Sequence, residues 1–447
     1  MPQDRATSVE RIVALNEAAA RFWADQYPHS PAANYVADRL AGNALAEDPR
    51  FRIGYAPASW TALVDHLRAE GASDSEIVDA GLGRYSRRGT LIDAFRDRVV
   101  IGITNPEGEL VGFSGRALPT SNDTRKYINT AETAAFHKGA VLFGLHEGRD
   151  QLAAGAVPTL VEGPFDAIAI TLATNGRAVG VAASGTALTQ AQAELLVTHA
   201  PNRLGIGGSR TDQLVVVATD DDPAGRKAAE RAFWLLQQAG ADTRTLPLVA
   251  PDGGKEDPAA SYARDSGRQL DTYLQHPDIL QSLAWTLLDD ATTQIKEADH
   301  VVARVHGLRR CATILASTPP ERWDDDITAI IERIGGDQWD TETLAEHTIR
   351  EAINWHSPEE GTAAPISETE QARARLQALS RKLEDRDYGQ PSPTRVVSDE
   401  LAQRLKQAQG RAERLQGSPS VSPEPPALPE RHPGPARDER PDRGVER

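Results

Sequence analysis

Between residues 157 and 248, short apolar runs alternate with amphipathic stretches. VPTLVEG, RAVGVAAS, QLVVVATD and DTRTLPLV are too short for helices and rich in the residues that suit strands. PFDAIAITLATNG, between the first two, opens on proline and ends at Gly176, the residue types of a helix start and a helix stop. Thr189 to Ala200 begins with Thr189 and Gln192 at capping-box spacing, and Pro223 to Ala239 reads as a further helix. Alternation of this kind predicts an α/β fold, a largely parallel sheet flanked by helices. Functional groups in such sheets gather at the C-terminal strand ends, where Glu162 and Asp220 fall.

The flanking regions have other rhythms. Residues 8–30 read as one amphipathic helix, with Val9, Ile12, Val13, Leu15, Ala19 and Phe22 on one face. Short helices are expected around 59–70 and 73–80. Arg98–Thr104 and Glu109–Arg116 form a hairpin pattern around the turn NPEG. Residues 265–356 read as a helical bundle, with Ala298, Val301, Val302, Val305, Leu308, Ala312 and Leu315 as a packing stripe. A charged linker or helix over 357–416 and a proline-rich tail over 417–447, too polar to fold, complete the chain. The expected units are therefore 1–155, 156–264, 265–356, 357–416 and 417–447.

Composition narrows the function. A net charge of −16 argues against a basic coat for nucleic acid, but Arg84–Asp150 holds ten Lys/Arg against eight Asp/Glu. Cys311 is the sole cysteine, which excludes an intrachain disulfide and a cysteine-based zinc site. No run approaches the roughly 18 apolar residues of a membrane span. MPQDRATSVERIV lacks the layout of a secretory signal, so a cytoplasmic location is expected.

The chemistry concentrates in VVVATDDDPAGRKAAERA, where Asp220, Asp221 and Asp222 follow a strand. Asp220 and Asp222, at i and i+2, can face one divalent ion, which would offset their repulsion. Asp222 can equally cap the next helix, a role worth about 0.5–2 kcal/mol. VEGPFDAIAI adds Glu162 at a second strand end and Asp166 four residues on.

Strand–EGxxD, an intervening strand, then strand–DxDxxG resembles a TOPRIM domain, the metal-binding fold of DnaG-type bacterial primases, topoisomerases and certain nucleases. The matching residues are Glu162, Asp166, Asp220, Asp222 and Gly225; in PDGGKEDPAASY, Asp257 is a further match and Asp252 another, with an ordinary turn as the plain alternative. Upstream, FRIGYAPASWTALV, IVDAGLG, FRDRVVIGI, GELVGFSGRAL and RKYINTAETAAFHKGAVLFGL follow the order of the primase catalytic core. The resemblance spans residues 8 to about 265. It implies an N-terminal α+β primase-core subdomain, a TOPRIM sheet, a C-terminal helical region and a disordered tail. It also implies a core without the cysteine-rich zinc-binding module.

Arg96, Arg98, Arg116, Arg125, Lys126 and Lys138 supply cations for a single strand, although any one of them is equally a solvated surface charge. By resemblance, Arg116, Lys126, Asn129 and Lys138 contact template or nucleotide; Tyr127 stacks on a base or simply packs, and packing is the favoured reading. Glu162, Asp220 and Asp222 are the catalytic set, and Glu162, Asp166, Asp220, Asp222 and Asp257 the metal set. The implied cofactor is Mg²⁺ or Mn²⁺, with no zinc. The implied reaction is two-metal synthesis of short RNA primers. Implied partners are single-stranded DNA, NTPs, a replicative helicase, and a separate zinc-binding or initiation protein; no membrane is involved. A TOPRIM nuclease and a non-catalytic DNA-binding accessory protein of a mobile element remain the alternatives.

Overall fold

The computed structural model describes residues 7–355, apart from 41, 43–44, 46–47, 122, 186, 205–210, 221, 249, 251–255, 278–279 and 319–321. The linker, the tail, Asp221 and Asp252 lie outside the described residues.

Helix α1 (Val9–Gln26) is capped by the Ser8 hydroxyl, which accepts the Arg11 N–H, and it buries Ile12, Leu15, Ala19 and Trp23. It ends before the expected residue 30. His29 takes a left-handed φ of 62°, and Ser30 with Pro31 opens a second helix, α2 (Pro31–Arg39). The chain continues as β1 (Ile53–Ala56), α3 (Ala62–Ala69), α4 (Asp74–Asp79), β2 (Gly83–Tyr85), β3 (Leu91–Asp93), β4 (Arg98–Thr104), β5 (Leu110–Ala117) and β6 (Tyr127–Asn129). Strands β1-β4-β5-β6 form an antiparallel sheet in that order, and β2 and β3 a separate ribbon. Strand β4 is buried at all seven positions because it separates two cores. Val100 faces the α1 side with Trp23 and Phe113. Val99 and Ile101 point the opposite way, to Phe143, Val161 and Phe165, as the two-residue period of a strand requires.

Next come β7 (Leu142–Phe143), α5 (Arg149–Ala153), β8 (Val157–Val161), α6 (Pro164–Ala173), β9 (Ala178–Ala183), α7 (Gln190–Thr198), β10 (Asn202–Leu204), β11 (Thr211–Ala218), α8 (Pro223–Gln238) and β12 (Ala241–Thr245). Strands β12, β11, β8 and β9 pair in parallel. Two antiparallel strands, β7 beside β9 and β10 beside the start of β11, were not foreseen; each has three residues or fewer, below the reach of periodicity. The expected capping box at Thr189 and Gln192 is formed. Val215 and Val217 pack toward Phe233 and Leu196, while Val216 packs toward Phe165 and Ile168. Burying each such side chain contributes about 1.5–3 kcal/mol, which anchors β11 and fixes where its C-terminal end emerges. Gly180 lets α6 lie directly on β9, since a Cβ there would strike the Ala167 carbonyl.

Helices α9 (Pro258–Asp265), α10 (Arg268–Gln275), α11 (Leu283–Lys296), α12 (Val301–Ala316), α13 (Trp323–Ile334) and α14 (Gln338–Trp355) complete the described chain. Leu283, Leu287 and Ile295 of α11 join the core formed by Val215 and Phe233, so the bundle packs on the sheet. Leu308, Ala312 and Leu315 are buried as the stripe predicts, but Val301 and Val302 are 67% and 62% exposed. Those two belong to the first turn of α12, beyond the reach of neighbouring helices. No helix among the described residues is long and apolar enough to cross a membrane.

Candidate active site

Strands β8 and β11 are adjacent, with Val161 opposite Ala218. The residues just past that pair, Glu162 and Asp220, therefore emerge side by side. The Glu162 Oε1 accepts the Asp220 N–H at 3.0 Å. Burial, softened by that bond, raises the proton affinity of Glu162, and repulsion from Asp220 and Asp222 raises it further. Asp220 is pushed up by burial, then by Asp257 and Asp222. For both groups, Lys126 is the cation that opposes the shift.

Asp222 takes the capping role. Its Oδ1 accepts the Ala224 and Gly225 N–H groups, both at 2.8 Å, at the start of α8. Gly225 is required by close approach: a Cβ there would collide with the Asp220 carbonyl oxygen. Among the described residues, no three His, Cys, Asp or Glu side chains converge tightly enough to hold a metal as they stand. A two-carboxylate site still fits the hard cation Mg²⁺, which usually takes one or two protein carboxylates and completes its shell with water and phosphate oxygens. Glu162 and Asp220 offer such a pair, all oxygen, and their repulsion is what a dication relieves.

Asp166 and Asp257 are arranged differently. Asp166, in the first turn of α6, accepts the Ala259 N–H at 3.3 Å through Oδ1, while its Oδ2 lies on the side of Gly163, just past β8. Burial, then Asp257, pushes its carboxyl up to about 7. Asp257 caps α9 through the Ala260 N–H at 2.7 Å, and its other oxygen is held by Arg39 at 2.5 Å. Both side chains are thus bonded within the protein. Arg39 was invisible to sequence reasoning because it lies 218 residues from its partner.

The cations also divide. Arg98 is buried, with an ion contact to Asp123 at 2.6 Å and hydrogen bonds to the Gly115 and Arg125 carbonyls. Its Nη2 proton is not well aimed at the carboxylate, so this is a charge contact more than a directed bond. Arg98 is therefore not on a template-facing surface: β4 is buried on both sides, and the residue serves the fold. Arg125 is exposed and bonds the same Asp123. The Arg116 guanidinium lies over Tyr127 at 4.8 Å and Tyr35 at 5.9 Å from their ring centres. Lys126 is exposed beside the acidic pair, and Lys138 is bound through its backbone, its N–H to Glu132 and its carbonyl to Gln192.

Asn129 lines a cleft of about 100 Å³ with Tyr127, Glu162, Ser184 and Gly185. The Asn129 Oδ1 and Ser184 Oγ have no hydrogen-bond partner. Ser184 follows the C-terminal end of β9, so the strand-end rule that found Glu162 and Asp220 applies to it equally.

Known proteins resemble parts of this chain. Residues 24–149 match the family model of the DNA primase catalytic core, N-terminal domain, and residues 159–260 match a Toprim-like model. A DNA primase of Streptomyces coelicolor is 35% identical over 247 residues, covering 54% of this chain and 36% of that protein. The chain thus spans a little over a third, 36%, of that relative's length. The RNA polymerase domain of Mycobacterium tuberculosis primase DnaG is 29% identical, with a TM-score of 0.57, covering 73% of this chain and 99% of the domain. The same domain in complex with a double-stranded DNA oligomer bearing a 6-nucleotide overhang is 28% identical, with a TM-score of 0.57, covering 75% of this chain and 100% of it.

Proposed function

We propose, from a TOPRIM-domain chain that resembles the catalytic core of bacterial DnaG-type DNA primases, that this protein synthesises short RNA on a single-stranded DNA template. The observation that carries the reading is the hydrogen bond from the Asp220 backbone N–H to the Glu162 carboxylate, which sets two acidic residues from neighbouring parallel strands side by side. Glu162 and Asp220 present the oxygens for a divalent ion, with Asp222 reserved for the mouth of α8. Mg²⁺ at that pair supplies charge neutralisation for the triphosphate and lowers the proton affinity of an attacking hydroxyl. Glu162, at the strand end beside Asp220, is placed to hold the cation and to orient the primer 3′-hydroxyl.

Lys126, beside the acidic pair, balances the negative charge that nucleotide and template bring. Arg116, held flat by Tyr127 and Tyr35, offers its remaining donors to phosphate in a fixed orientation. Asn129 meets the nucleotide through the cleft it shares with Glu162. Lys138 meets the template near the Glu132 turn. Asp257 braces the outer wall of the site through Arg39 and serves as a metal ligand only if that ion pair opens, with Asp166 behind it on the Ala259 N–H.

The test is synthesis on random single-stranded DNA with NTPs and Mg²⁺, with and without an annealed primer. Short RNA is expected from the native chain and none from Asp220→Asn. Degradation of the template without RNA product would identify a nuclease instead, and an active Asp220→Asn protein would reject the assigned site.

A further inference from the structure

Three large apolar side chains are left uncovered at one end of the helical bundle. Val301 and Val302 open α12, and Trp339, 49% exposed, lies in the first turn of α14. These two first turns are pinned together. The Arg304 guanidinium donates to both oxygens of Asp340, at 2.8 and 2.7 Å, and Asp340 also accepts the Asp337 N–H at 3.0 Å. Val301 stands one turn before Arg304 on the same face of α12, since residues three apart are neighbours on a helix. Trp339 directly precedes Asp340, and half-buried Val305 continues the apolar strip along α12. The ion pair thus draws the uncovered side chains of two helices to the same end of the bundle. Apolar side chains scattered singly over a surface need no explanation, but a group that includes a tryptophan marks a contact surface.

The flanking charges decide what the contact is with. Glu297, Asp299, Asp337 and Glu342 are all exposed and flank the three apolar residues along the chain. Against them stand Lys296 and Arg304, and Arg304 is committed to Asp340. His300 is turned onto its own helix, where its Nδ1 accepts the Ala303 N–H at 3.0 Å. This end of the bundle is therefore acidic, and it repels a nucleic acid or an anionic lipid surface. A second copy seated patch to patch would bring the same carboxylates together. An added β-strand needs an open sheet edge, and α12 and α14 offer none. The chemistry that fits is an amphipathic helix, apolar on one face, with lysine or arginine along its flanks.

We propose that the Val301, Val302 and Trp339 end of the bundle docks a basic amphipathic helix of a partner protein, with Trp339 as the apolar anchor and the four flanking carboxylates facing its cations. The surface shares no residue with the acidic pair at β8 and β11, so the inference stands independently of the polymerase reading. It carries no chemistry of its own. It fastens the chain to another protein while the strand ends stay open.

The experiment is fluorescence anisotropy of the full chain with two labelled peptides of about 20 residues, long enough to hold a helix, both with leucine at heptad positions a and d. One carries lysine at the flanking positions and the other glutamate. The native chain should bind the lysine peptide about tenfold or more tightly than the glutamate peptide. Trp339→Ala, and separately Val301→Ser combined with Val302→Ser, should each weaken the lysine peptide about tenfold, the loss expected of a central interface side chain. Glu297→Lys combined with Asp299→Lys should weaken it and strengthen the glutamate peptide, and added salt should narrow the gap between the two. The substituted side chains are exposed, so each variant should unfold at the native midpoint, which separates lost docking from lost fold. Lysine-peptide binding that is absent in the native chain, or that survives unaltered in the Trp339 and valine variants, overturns the proposal. A native chain that dimerises while Trp339→Ala stays monomeric in sedimentation equilibrium overturns it as well, and gives the face to a second copy.

Discussion

Two acidic pairs meet near the start of α6, and the chain treats them oppositely. Asp166 and Asp257 each accept a backbone N–H, and Asp257 is also held by the Arg39 guanidinium. Glu162 and Asp220 stand at the open ends of β8 and β11, with one backbone N–H between them and Lys126 acting at a distance. In the first pair Arg39 is the counterion of Asp257, while Asp166 is still pushed up to about 7 by burial and by Asp257. The second is left short of positive charge, a state that costs stability and is retained where a cation or substrate arrives later. Two carboxylate pairs thus differ in that an arginine from α2 reaches one of them and not the other.

The sharpest way to break this contrast is to neutralise one member of each pair. Asp220→Asn should lower RNA synthesis by about a thousandfold or more, roughly 4 kcal/mol of barrier, measured as product per enzyme at saturating NTP. The same change should leave the metal-free fold intact and raise its stability by up to about 1 kcal/mol. The reasoning is one of sign: a carboxyl whose proton affinity is raised on folding opposes the folded state when ionised.

Arg39→Met should act on the other pair and in the other direction. It strands Asp166 and Asp257 without their cation and should cost about 1–3 kcal/mol in urea unfolding near neutral pH. The loss should shrink as acid protonates the two carboxylates. An Arg39→Met protein as stable as the native chain at neutral pH would show that the brace has no structural value.

A smaller effect separates both pairs from an ordinary surface bridge. Glu76, bonded by Arg11 at 2.8 Å and by the Ser73 N–H, is held at about 2, below its usual 4.5. Its contribution should be complete above about pH 4.5 and vanish as pH falls toward 2. Exposure to solvent limits it to under about 1 kcal/mol, so Glu76→Gln should flatten the acid limb of the stability profile only slightly.

Much of the sheet was legible because its signals are local. Apolar runs of four to six residues, a proline-opened helix after β8 and a capping box at Thr189 each lie within one short window. Glu162 and Asp220 were legible for the same reason, as the first carboxylates after two such runs. What escaped depends on contacts distant in sequence. Arg98 reads as one more surface cation until β5 and the Asp123 loop close over it. Nothing near Asp257 in sequence announces the Arg39 that α2 brings to it. Val301 and Val302 satisfy a helical stripe, yet nothing packs over them, because periodicity records which residues share a face and not what covers it.

The central claim is that the Glu162–Asp220 pair is a cation receptor while Asp257 already has its cation in Arg39. Isothermal titration of the nucleotide-free full chain with Mn²⁺ tests it most directly, comparing native protein, Glu162→Gln, Asp220→Asn and Asp257→Asn. The account predicts binding to native protein, a loss of about tenfold or more in affinity for the Glu162 and Asp220 variants, and little change for Asp257→Asn. Undiminished binding by Asp220→Asn, or binding abolished only by Asp257→Asn, would contradict it.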